Sequence, residues 1–267
     1  IAVGIIIALL GSFVNIGVFA SDNTDNVYYV SPTGIGVSSD ADKPGALEDV
    51  KAYLRGKGQK ATVMMADGRY TLSKPLVFTA EDSEITYKAI NKGKVEISGG
   101  VSVKDWEESG NLYKSFVGKG FISRQFYVNG RRAVRAREVI TRAIESNEKG
   151  HSVYFDNMKN WSNIREIEFV YYADWSQLRC KVDSIDDTTI VMQQPQYQWI
   201  WKKPSGARVT FPPLQMENAL ELLDEPGEWY HDITSGYLYY YPLEGEDMET
   251  ADAVLPVLEN LVQINGT

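Results

Sequence analysis

The residues best suited to chemistry in this sequence are its carboxylates, a run of arginines, two tryptophans, two histidines and one cysteine. Acid–base cleavage of a sugar linkage needs two carboxylates, roughly 5–10 Å apart, on opposite sides of the bond. The chain has 36 acidic residues, and no spacing singles out a pair. Asp224, Glu228 and Asp232 surround the segment Pro226-Gly227-Glu228-Trp229-Tyr230. Capping of turns by acceptance of backbone N–H groups is the favoured reading there, ahead of catalysis. Asp82, after Glu81, is read in the same way.

Arg131, Arg132, Arg135, Arg137 and Arg142 cluster in a chain that is otherwise acidic. In an extended strand Arg131, Arg135 and Arg137 share parity. They either hold an acidic ligand by bidentate pairing or form a salt-bridged face, the plainer reading. Trp199 and Trp201 alternate with Gln198 and Ile200, which predicts a strand with both rings on one side. Such rings stack on sugars, although core packing competes for them. Pro204-Ser205-Gly206 is expected to form an exposed loop tip beside them. Trp199, Trp201, Arg131 and Arg135 are thus the expected substrate contacts, and the catalytic residues stay unassigned. His151, expected in a loop, and His231, expected in a strand, are 80 positions apart, which argues against a multi-histidine metal site. Neither has a serine or cysteine partner by motif. Cys180, the single cysteine, excludes an internal disulfide and is read as a small buried hydrophobe. One cysteine and two distant histidines give no expected metal site, and no nucleotide cofactor is expected, since no glycine-rich phosphate loop is present.

The elements that must position these groups are mostly short strands. Val27-Tyr28-Tyr29-Val30 reads as the first. Residues 46–54 predict the one early helix, with Leu47, Val50 and Leu54 on one face and Glu48, Asp49 and Lys51 opposite. Strands are predicted at 62–65, 76–78, 85–87 and 95–97, separated by Asp67-Gly68, Lys74-Pro75, Asp82-Ser83 and Lys92-Gly93. Asn129-Gly130 predicts a type I′ hairpin between 126–128 and 132–136. Ile167, Phe169, Tyr171, Ala173 and Trp175 are expected on one strand face. A second hairpin joins 228–232 to 237–241, and 257–264 returns to an extended apolar pattern.

Basic residues number 27 against 36 acidic ones, a net charge of −9, which argues against nucleic acid as a partner; a nucleotide partner is not expected either. Residues 1–20 carry no charge and end in Val18-Phe19-Ala20, as a cleaved export signal does; a retained membrane anchor is the alternative. A secreted or extracytoplasmic location is therefore expected, with membrane contact through that signal only. Asn160-Trp161-Ser162 and Asn265-Gly266-Thr267 match the glycosylation sequon.

Several segments carry a resemblance. They are Tyr28-Tyr29-Val30-Ser31-Pro32, Met65-Ala66-Asp67-Gly68-Arg69-Tyr70, Ile97-Ser98-Gly99-Gly100, the run from Phe126 to Arg137, Pro226-Gly227-Glu228-Trp229-Tyr230, and Gly236-Tyr237-Leu238-Tyr239-Tyr240-Tyr241-Pro242. In this order they resemble bacterial right-handed parallel β-helix carbohydrate-active proteins, among them glycoside hydrolases. The resemblance implies an all-β fold: the start of a right-handed parallel β-helix, a short N-terminal capping helix, and an inserted antiparallel β-sandwich or barrel. The expected division is a signal at 1–20, cap and first rungs at 21–100, the inserted domain at 101–250, and a truncated return to the β-helix at 251–267. The implied function is the N-terminal part of a glycan-degrading enzyme whose two catalytic carboxylates lie on later rungs. A polysaccharide or oligosaccharide is the expected substrate. A polysaccharide lyase and a non-catalytic glycan- or wall-binding protein remain open.

Overall fold

A computed structural model describes residues 26–202 and 208–266. The proposed export signal and the Pro204-Ser205-Gly206 loop tip lie outside the described residues. The described chain is mostly β with few helices, as expected. It divides into two compact units. One holds the described residues up to Tyr70, Phe78–Glu96 and those from Asn265 on, and the other Thr71–Val77 and Ile97–Ile264.

In the first unit three strands, Asn26–Val30, Ala61–Met65 and Ile85–Ala89, pair parallel and in register, with Asn26 beside Ala61 beside Ile85. Alternation buries Ala61, Val63 and Met65. Helix Leu47–Leu54 buries Leu47, Val50 and Leu54. Lys51 departs from the expected solvent side. It lies one helical turn after Leu47 and so faces inward, where its ammonium meets Asp82 Oδ1 at 3.0 Å and lies 4.8 Å from the Phe78 ring centre. Asp82 also accepts the Thr79 N–H at 2.8 Å, closing a capping box, so its turn-forming role holds.

The second unit contains sheets that are mostly antiparallel. The six-stranded one runs in the order Arg137–Val139, Gln215–Glu217, Glu168–Ala173, Ser176–Ile185, Thr189–Met192 and Gly150–Ser152. A five-stranded sheet carries the hairpin Glu228–Asp232 with Tyr237–Tyr240, and a four-stranded sheet the hairpin Tyr127–Val128 with Arg131–Arg132. Asn129 and Gly130 both have positive φ, 51° and 73°, as a type I′ turn demands. Strand Glu228–Asp232 is buried on both sides: Trp229 packs into one cluster with Phe126, Val128 and Tyr240, and Tyr230 into the other with Phe169, Tyr171 and Met216.

Three expectations fail here. Residues 196–202 form an α-helix, not a strand. Tyr197, Ile200 and Trp201 follow the i, i+3, i+4 spacing of a helix face packed on the core. The Gln194 side chain accepts the Gln198 N–H at 3.0 Å near its start. Trp175 leaves the face of Phe169, Tyr171 and Ala173, because the chain turns between Ala173 and Ser176; its ring is 98% exposed. His151 lies in strand Gly150–Ser152, completely buried, not in a loop.

Candidate functional site

The six-stranded sheet has two faces of opposite character, and its register shows why. Strand Glu168–Ala173 alternates Phe169, Tyr171 and Ala173 toward the core with Glu168, Val170 and Tyr172 on the other side. Opposite it, Cys180 and Val182 face the core, while Gln177, Arg179 and Lys181 stand across from Tyr172, Val170 and Glu168. The next strand adds Glu217 beside Glu168 and Gln215 beside Val170, and Arg137 then lies beside Glu217. The second face is therefore a charged lattice.

Glu168 and Glu217 are directly opposite each other and both buried, which is unfavourable for like charges unless cations intervene. Three arginines do so. Arg124, from the loop before Tyr127, grips Glu168 with two hydrogen bonds of 2.9 and 2.7 Å. Arg135 Nη1 lies 2.9 Å from Glu168 Oε2 and 3.5 Å from Glu217 Oε1. Arg179 Nε donates to Glu217 at 2.6 Å. The Arg135 side chain is only 10% exposed, and its Nε is fixed by Asn218 Oδ1 at 3.1 Å. Burial would raise the Glu168 pKa, but the Arg124 hydrogen bonds and the charges of Arg135 and Arg124 outweigh it and hold the group at about 2. Burial lowers the Arg135 pKa against the pull of Glu168. A carboxylate held so low does not deliver a proton near neutral pH, so this arrangement suits binding by fixed charge, not acid–base chemistry.

Above the lattice lies a cleft of about 530 Å³, bordered by Arg132 and Arg137 as well as Arg124, Arg135 and Arg179, with Gln125, Gln177 and Gln215 between them. A larger hollow of about 1030 Å³ is bordered by Glu108, Asp247, Glu249 and Asp252; it offers no guanidinium. Among the described residues no group of three or more His, Cys, Asp or Glu is placed to hold a metal ion.

The four expected contacts do not converge. Arg135 lies in the cleft. Arg131 pairs with Glu246 at 3.0 Å and belongs to a separate network with Tyr240. Trp199 and Trp201 are two positions apart on a helix and so point in nearly opposite directions. Trp199 is 64% exposed, whereas Trp201 stacks on Tyr197 and packs edge-on to Phe211. Arg124, Arg179, Glu168, Glu217 and the glutamines escaped the sequence reading. The alternation Gln177, Arg179, Lys181 against Leu178, Cys180, Val182 is the signal that identifies one row of them.

Glu228, Asp232, His151 and Cys180 do not border the arginine-lined cleft. Glu228 is buried and accepts the Arg137 N–H at 3.3 Å and the Glu225 N–H at 3.4 Å; burial pushes its pKa up to about 7 against these bonds. Asp232 accepts the N–H groups of Thr234 and Ser235, at 2.9 and 3.1 Å. The turn-capping reading of both residues thus fits their bonds. His151 is fully buried; its Nδ1 meets Ser146 Oγ at 2.9 Å and its Nε2 meets Tyr171 Oη at 2.7 Å. Burial lowers its pKa to about 4. Burial likewise pushes the Cys180 thiol up to about 12, leaving it inert at neutral pH.

Comparison with known proteins supplies the context. Residues 114–243 match the family model described as the GH141 insertion domain. A solved structure titled "Glycoside hydrolase" aligns with a TM-score of 0.74 and 28% identity, over 91% of this chain and 48% of that one. The chain thus spans about half the length of that structure. A second, titled "The complex structure of XylC with xylose", aligns with a TM-score of 0.41 and 16% identity, over 90% of this chain and 34% of that one, a likeness too weak to bear on fold or function. No curated protein matches the chain. The insertion-domain match and the first structural likeness together support a likeness to glycoside hydrolases.

Proposed function

We propose that the chain acts as part of a longer secreted enzyme that hydrolyses glycosidic bonds with two carboxylates outside this chain, and that the second unit shapes and charges the substrate cleft. The observation that carries this reading is the likeness to a glycoside hydrolase of about twice the length, with the insertion-domain match covering residues 114–243. The buried acids support it. Glu168 is held ionised by arginines, and Glu228 is only 4% exposed and borders neither the arginine-lined cleft nor the larger hollow. The parallel, in-register strands beginning at Asn26, Ala61 and Ile85 support the start of a parallel β-helix in the first unit. The uncharged run 1–20 supports export.

The test is turnover on a panel of aryl glycosides and polysaccharides. The chain alone is expected to release no reducing sugar, and a form extended toward the length of its structural relative is expected to be active. Robust turnover by residues 21–267 would overturn the placement of the catalytic groups. An unsaturated, ultraviolet-absorbing product would assign a lyase instead, and binding without turnover by the extended form would assign a glycan-binding protein.

A further inference from the structure

We infer that the arginine-lined cleft of the second unit is a binding subsite for a negatively charged sugar. The sugar part of this inference rests on the glycoside hydrolase reading, whereas the charge part stands on the cleft itself.

Two observations point to a ligand. The first is uncompensated charge. Five guanidiniums border the cleft, against two carboxylates, Glu217 and the underlying Glu168. Three positive charges remain, in a chain of net charge −9. Arg124, Arg135 and Arg179 are committed to those two carboxylates. The exposed Arg132 and Arg137 have no ion-pair partner among the described residues. A cleft with one sign of charge and low-dielectric walls concentrates counter-ions, and a free guanidinium matches a carboxylate or sulfate by two parallel hydrogen bonds.

The second observation is Gln215. It is 8% exposed, borders the cleft, and its side-chain amide has no hydrogen-bond partner within the described protein. The amide is therefore free to bond a ligand hydroxyl in the cleft. Gln177 stands on the same face, across from the half-exposed ring of Tyr172. The wall therefore offers guanidiniums for an anion and amides for hydroxyl groups, and the Tyr172 ring stands on the same sheet face beside Gln177. A bare polyanion site needs only the first of these.

Affinity for polygalacturonate and for its fully methyl-esterified form, measured by calorimetry on the purified protein, tests the inference because esterification removes the charge and keeps the sugar. The acid form is expected to bind at least tenfold tighter, and to weaken as salt rises. Dextran sulfate against dextran is the second arm; tight binding there but not to polygalacturonate assigns the anion as sulfate. Arg132→Ala/Arg137→Ala is expected to lose at least tenfold in affinity with unchanged Tm, since neither side chain supports the fold. Gln215→Leu is expected to lose about fivefold while keeping the salt dependence. Equal affinity for acid and ester, together with equal affinity for dextran sulfate and dextran, would overturn the inference. An unaffected double-arginine variant, or equally tight binding of single-stranded DNA, would overturn it too. Turnover of neutral glycosides by the extended enzyme is read separately: activity without anion binding sinks the subsite alone, and anion binding without any turnover sinks the hydrolase reading alone.

Discussion

One sheet of the second unit presents two faces made from the same strands by the same alternation, and they hold together by different physics. On the core face Phe169, Tyr171, Cys180 and Met216 are within 1% of full burial, and stability comes from apolar area and dispersion. On the other face Glu168 and Glu217 are almost as deeply buried, yet bound by Arg124, Arg135 and Arg179. Such a cluster contributes little net stability, because desolvation offsets the Coulomb attraction. It does leave a rigid set of charges facing a cleft. The core face tolerates swaps of similar volume; the charged face tolerates only changes that keep every buried charge partnered.

The largest effect should come from the core face. Phe169→Ala is expected to cost about 3–5 kcal/mol in urea unfolding, and a loss below about 1 kcal/mol would mean that this face is not the core. On the opposite face Arg135→Leu is expected to cost about 2 kcal/mol, the range for hydrogen bonds to a charged group. It costs less than complete loss of a partner because Glu168 keeps Arg124 and Glu217 keeps Arg179. Adding Glu168→Leu to that variant should deepen the loss, because Arg124 then loses its bidentate partner; a double-mutant cycle would measure the coupling.

The third prediction concerns pH. Glu168, lowered to about 2, contributes stability present above its unfolded value and lost as pH falls through the range from about 4.5 to 2. Glu228, raised to about 7, contributes the opposite: stability full below about 4.5 and lost as pH rises toward 7. His151, lowered to about 4, binds protons better unfolded, so its contribution grows as pH rises from about 4 to 6.5. In the wild type the Glu228 and His151 contributions oppose each other between about pH 4.5 and 6.5. Glu228→Gln removes one of them, and Tm should then climb through that interval more steeply than in the wild type. An identical pH profile for the two proteins would show that Glu228 titrates normally. The smallest effect is expected at Trp175. Its ring is 98% exposed, so Trp175→Ser should change stability by no more than about 0.5 kcal/mol.

The comparison of faces also explains what was legible. The core face follows from period two within a single strand: Phe169, Tyr171 and Ala173 were placed together from the sequence, as was the burial of Cys180. The charged face was only half visible. Its arginines were noticed as a cluster, but Arg131 and Arg135, assigned to one strand face, end in different networks because the chain breaks into the separate strands Arg131–Arg132 and Val134–Arg135. Over 196–202 Trp199 and Trp201 suggest alternation, while the spacing of Tyr197, Ile200 and Trp201 carries the helical signal.

The sequence by itself determined the features that depend on neighbours along the chain. These are the β-rich character, the helix at Leu47–Leu54, the Asn129-Gly130 turn, the hairpin ending at Tyr237–Tyr240 and the alternation of the core strand. The tertiary structure alone decided the cleft. Arg124 and Glu168 are 44 positions apart, Arg135 and Glu168 are 33, and Arg135 and Asn218 are 83. Local propensity carries no information about such pairs, because which carboxylate meets which guanidinium is set by strand register and by the burial that makes an unpartnered charge intolerable.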